Sequence, residues 1–177
     1  MHDRGFTIIE LVMVIIVVSI LAAVAVPQFA RHWTGIKLGN ATMKIASDIR
    51  YAQNRATTTQ QRSRVSFLSP TTYEVRYCTA YDNTPDVCNC TGAWNYATDP
   101  YSRGDFQINL NNDFSGVTIS GILNDCIEFD SLGRPYYNAN CTTATSCNSS
   151  AQSQVTVQYS GNNKIITVLP QTGMVSY

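Results

Sequence analysis

A chain of 177 residues has room for one domain of ordinary size plus a membrane segment, and for little else. Its 12 Lys/Arg and 12 Asp/Glu cancel, so net charge points to no polyanionic partner. The balance hides an asymmetry, because residues 1–64 hold eight basic against three acidic side chains and residues 65–177 hold four against nine.

The first element is an apolar helix. From Phe6 to Val26 the only ionisable side chain is Glu10, and after it nothing is more polar than Ser19. A helix of that length spans roughly 30 Å, about the thickness of a bilayer core. A secretory signal peptide would also be apolar here, with Ala23-Val24-Ala25 as its cleavage site. Against that, the small residue Gly5 precedes the apolar run, and a carboxylate at Glu10 inside such a run costs about 2.5 kcal/mol or more at mid-bilayer depth. An export signal has no use for that cost, whereas a subunit that needs a charge for assembly does.

Gly5-Phe6-Thr7-Ile8-Ile9-Glu10-Leu11 ahead of a long apolar helix resembles the class III leader of type IV prepilins and pseudopilins. The resemblance implies that a prepilin peptidase cuts between Gly5 and Phe6 on the cytoplasmic side and methylates the new amine of Phe6. It also implies that Glu10 is the assembly residue. The physics agrees: a freed amine at Phe6 lies one turn from Glu10, at the positive end of a helix. In an apolar filament core, pairing Glu10 with a neighbour's amine relieves the cost of an unpaired charge and sets axial register.

Pro27 follows the apolar run, where it removes a backbone hydrogen bond and is expected to kink the helix. Leu38, Ala41, Ile45, Ile49, Ala52 and Ala56 then recur every three or four residues as one apolar stripe. Lys37, Lys44, Asp48, Arg55 and Arg62 fall on a neighbouring face, expected to be solvated or to meet acidic heads of neighbouring subunits. Gly35 and Gly39 weaken the helix between its halves.

After Arg62 the period becomes two. Strands are expected at Val65–Phe67, Tyr73–Tyr77, Phe106–Leu110, Val117–Ile119, Cys126–Phe129, Val155–Tyr159 and Ile165–Leu169, with a hairpin turn over Ser160–Asn163. Ala80–Gly104 and Asn138–Gln154 lack periodicity and read as long surface loops. The organisation expected is a leader at 1–5, a transmembrane or filament-core helix at 6–27, an amphipathic continuation at 28–62 and a β-rich head at 63–177. The fold class is α+β, a type IV pilin fold with the long helix packed on an antiparallel sheet.

All six cysteines, Cys78, Cys88, Cys90, Cys126, Cys141 and Cys147, lie in the second half. Placed beyond a membrane segment they read as disulfides in an oxidising compartment, with free thiols and metal ligation as the other readings. Six cysteines allow 15 pairings, and spacing does not choose among them.

The head resembles the GspH/FimT-like branch of minor pilins and pseudopilins. The residues that carry this are Ile49–Ala56 leading into Arg64–Phe67, then Ile127–Pro135, and the ending Ile166–Val175. The resemblance implies a minor subunit of a type IV pilus or a type II secretion pseudopilus, which primes assembly or forms the tip. The alternatives are a major pilin or a FimT-like DNA-uptake pilin. The implied setting is the inner membrane, single-pass, with the head in the periplasm. The implied partners are sibling pilins, the peptidase, a platform protein and an assembly ATPase. DNA uptake needs phosphate-neutralising cations, and 169–177 holds no Arg or Lys.

An enzyme is not expected, nor a cofactor or metal. The head has no histidine, since His2 falls in the leader and His32 near the membrane. Asp125, Glu128 and Asp130, or Asp82 and Asp86, could each be half a calcium site, but read more simply as loop and strand-edge carboxylates. No nucleophile–base pair or glycine-rich phosphate loop is present.

Overall fold

The structure, a computed structural model, describes residues 7–81, 90, 92–123, 125–138 and 153–177. It comprises two compact units, Met1–Ile36 and Lys37–Tyr177. Helix α1, Ile8–Thr59, begins in the first and continues into the second. In the first unit the aliphatic side chains from Ile8 to Val24 are exposed, and Ile8–Ala25 is long and apolar enough to cross a membrane.

In the second unit the expected stripe is the buried one: Leu38, Ala41, Ile45, Ile49, Ala52 and Ala56 all lie in the core. The helix stops at Thr59 because Gln60 takes a left-handed φ of 55° and turns the chain into a strand. Strand β1, Gln61–Ser69, therefore contains Arg62, which was expected on the helix face and is instead fully buried in a sheet.

The strands follow as β2 (Thr72–Tyr81), β3 (Trp94–Tyr96), β4 (Gln107–Asn109), β5 (Thr118–Ser120), β6 (Cys126–Phe129), β7 (Pro135–Asn138), β8 (Ser153–Tyr159), β9 (Asn162–Val168) and β10 (Val175–Ser176). A short helix, α2 (Leu110–Asp113), follows β4. One antiparallel sheet runs β3-β2-β1-β6-β7, with β4 also paired to β2; the other runs β10-β9-β8-β5. Val65, Phe67, Tyr73, Val75, Ile127 and Phe129 of the first sheet share a core with the α1 stripe and with Ile119, Val155, Val157, Ile166 and Val168 of the second. Burying each such large aliphatic or aromatic side chain contributes roughly 1.5–3 kcal/mol.

The opposite face of the first sheet is also buried, and it is charged. Arg64 on β1 lies between Arg76 on β2 and Glu128 on β6. Glu74 holds Arg76 at 2.6 Å. Aromatic rings cover the guanidinium groups: Trp94 over Arg64 at 4.1 Å, Tyr96 over Arg76 at 4.4 Å and Tyr136 over Arg62 at 5.6 Å. Buried charges persist only with partners, which acids and rings supply here. Cys78 and Cys126 lie on this face, and both are disulfide-bonded, Cys78 to Cys90.

Three basic residues of α1 also make contacts with the head. Lys37 donates to the Ser115 carbonyl at 2.6 Å, Arg50 to that of Val175 at 2.7 Å, and Arg55 stacks on Tyr77 at 3.8 Å. Among the described residues of the head, the acids left exposed are Asp105 and Asp113.

Asp48 shows the pH consequence of such burial. Lys44 donates to both its oxygens at 2.8 Å and the Tyr73 hydroxyl donates at 2.5 Å, yet burial dominates and raises its pKa above 3.8. A raised carboxylate binds its proton more tightly in the folded than in the unfolded state. Its contribution to stability is thus complete below pH 3.8 and is lost as pH rises through the folded value. Urea unfolding of the wild type and of Asp48→Asn against pH tests this. The wild type is expected to lose stability relative to the variant across that window, and parallel curves would contradict it.

Candidate functional site

The N-terminal turn of α1 is built by one short motif. The Thr7 hydroxyl accepts from the Glu10 backbone N–H at 3.3 Å, while the Glu10 carboxylate accepts from the Thr7 N–H at 3.3 Å and from its hydroxyl at 3.1 Å. This reciprocal arrangement is a capping box, which satisfies orphan donors at a helix start. The other polar side chain within the span, Ser19, donates back to the Ile15 carbonyl at 2.7 Å. The span thus presents an aliphatic surface with one carboxylate, at the end where the helix dipole favours negative charge. Gly5 and Phe6 lie outside the described residues.

Of the other candidates, the Cys78–Cys90 disulfide spans a sequence separation of 12 and ties β2 to the residues ahead of β3. Cys88, Cys141 and Cys147 lie outside the described residues, as do Asp82 and Asp86. Asp125, Glu128 and Asp130 do not converge on a cation. Asp130 is fully buried and consumed by its turn, accepting from the N–H groups of Leu132 and Arg134 at 3.0 and 2.8 Å and from Arg134 Nε at 2.8 Å. Glu128 faces Arg64. Asp125 accepts from the Tyr137 hydroxyl, and that hydrogen bond, reinforced by burial, pushes the phenol up to about 12. Among the described residues no group of three or more His, Cys, Asp or Glu side chains could hold a metal ion.

Motif reasoning alone did not single out a clamp centred on Gln53. Its amide donates at 2.9 Å to the carbonyl oxygens of both Gly133 and Thr172, fastening two turns to α1. Both glycines in this clamp, Gly133 and Gly173, have positive φ. Thr7 was missed as well, although Thr-x-x-Glu before an apolar run is a readable capping signal.

Comparison with known proteins places these features. Residues 1–26 match the family model described as prokaryotic N-terminal methylation motif. Residues 41–162 match that of type II transport protein GspH. The chain belongs to the GspH family. It is a minor pilin or pseudopilin, a structural subunit that assembles with other pilins or pseudopilins in a filament. Among solved structures, it is similar to the type IV minor pilin FimU of Pseudomonas aeruginosa at 11% identity, with a TM-score of 0.46, covering 78% of this chain and 86% of that chain. No curated protein matches it.

Proposed function

We propose that the chain is a prepilin cut between Gly5 and Phe6, methylated at Phe6, and held by its N-terminal helix in the inner membrane with the head in the periplasm. From there it enters a type IV pilus or a type II secretion pseudopilus, where it primes assembly or forms the tip. The observation that carries this reading is an exposed aliphatic helix bearing a single carboxylate, Glu10, preset at its first turn by Thr7. Such a surface needs lipid or other helices around it, and its one charge needs a cation. Pro27 is the proposed bend in the helix. A prepilin peptidase, a platform protein and a cytoplasmic ATPase complete the machinery.

The test is to quantify this chain against its siblings in sheared surface fibres and in membranes. Trace amounts in fibres are expected for a pilus subunit, and processed chain confined to membranes for a pseudopilus subunit. Dominance in the fibres would overturn the assignment to a minor position.

A further inference from the structure

The segment joining β3 to β4 is held unusually firmly for a surface loop. Its base is a bridge between Thr98 and Asp105, with Asp99 N–H donating to the Gly104 carbonyl and Arg103 N–H to the Asp99 carbonyl, both at 2.9 Å. The Asp99 carboxylate accepts from the Tyr101 N–H at 2.9 Å and from the Ser102 hydroxyl at 2.8 Å. Tyr51 pins Thr98 from the helix at 2.8 Å, and Phe106 anchors the return in the core. Yet Tyr101 is 97% exposed, and among the described residues the side chains of Tyr101, Arg103 and Asp105 make no hydrogen bond, ion pair or ring contact.

The tip reads Arg103-Gly104-Asp105, and the residue types are the reverse of what the backbone asks for. Arg103 takes the left-handed φ of 59°, where glycine would be free of strain. Gly104 is outside that region, and a Cβ there would meet only the Ser102 hydroxyl, at an ordinary 3.7 Å. The turn therefore does not require glycine at 104, and it pays strain to keep arginine at 103. The left-handed residue closes the hairpin on the Asp99 carbonyl, so what sets the tip apart is that Arg103, Gly104 and Asp105 stand exposed in succession on a rigid base.

We propose that this loop is a ligand for a receptor of the integrin type, one that reads arginine-glycine-aspartate. The Asp105 carboxylate would complete the coordination of a divalent cation on the receptor. The Arg103 guanidinium would pair with a receptor carboxylate, the bare Gly104 would admit close backbone approach, and Tyr101 would supply aromatic contact. This goes beyond membership of a filament, and its use on a cell surface rests on the proposed assembly.

The experiment places the purified full chain in lipid nanodiscs over an immobilised integrin ectodomain that reads this tripeptide, with Mn²⁺ or with EDTA. Saturable binding is expected in Mn²⁺, lost in EDTA and displaced by a linear Arg-Gly-Asp peptide. Asp105→Glu keeps the charge but misplaces it, and is expected to weaken binding by about tenfold or more. Arg103→Gly and Gly104→Ala are expected to do the same while leaving thermal unfolding unchanged or slightly raised. Absence of cation-dependent binding, or binding indifferent to Asp105→Glu, overturns the proposal. Because the purified chain is used, either result is independent of whether it enters a pilus or a pseudopilus.

Discussion

Replacing Glu10 by leucine is expected to leave the chain in the membrane and remove it from filaments. The substitution makes the span more apolar, so anchoring is not harmed. What it removes is the counter-charge for a neighbour's N-terminal amine in an apolar filament core. Breaking a buried pair on one side costs roughly 3–5 kcal/mol, or about a hundredfold or more in incorporation. Glu10 also closes the capping box with Thr7, so loss of assembly could reflect a frayed helix start. Glu10→Gln separates the two causes. Glutamine serves a capping box as glutamate does but carries no charge. Incorporation as poor as that of the leucine variant is expected, while near-normal incorporation of Glu10→Gln would sink the charge-pairing role.

The second large effect lies in the clamp on α1. Gly173 has a φ of +67°, and a Cβ there would lie on the Gln53 amide and 2.8 Å from the Gly133 carbonyl oxygen. Gly173→Ala is therefore expected to break both Gln53 hydrogen bonds, at about 1 kcal/mol each, and to add left-handed strain of about 1–2 kcal/mol. A loss of about 3 kcal/mol or more follows. Gly161→Ala provides the control, since its φ is +78° but nothing lies within 4 Å of the added carbon. Strain alone predicts about 1–2 kcal/mol there. Urea unfolding of both variants in detergent checks the difference, and equal losses would mean that the clamp contributes nothing.

How far the sequence could be read depended on whether a feature was local. The α1 stripe is a periodic pattern in consecutive turns, and every one of its six residues is buried as expected. β6 falls on the expected Cys126–Phe129. The β8–β9 turn is tighter than expected: Ser160 and Gly161, at φ 48° and 78°, make it alone, and Asn162 and Asn163 already pair with Tyr159 and Gln158. Two left-handed residues match the twist of the flanking strands, so the shorter turn wins.

The non-local features were harder to read. β3, inside the segment read as loop, has no alternation of its own and owes its place to pairing with Arg76–Cys78 and to rings over Arg64 and Arg76. Arg62 looked like a surface residue because burial of an arginine depends on groups far along the chain, such as the Tyr136 ring that covers it. At the candidate site the reverse held. Glu10 stood out because a lone carboxylate in an apolar run is costly in any fold, while the Gln53 clamp joins residues 80 and 119 positions apart.

The central claim is that this chain is processed at Gly5–Phe6 and assembled through the helix that follows. Mass spectrometry of the N-terminal peptide, from sheared fibres and from membranes, tests it most directly. A mature terminus at N-methyl-Phe6 is the predicted result. A terminus at Val26, left by cleavage after Ala23-Val24-Ala25, would mean that the helix is a discarded export signal and would contradict the whole account.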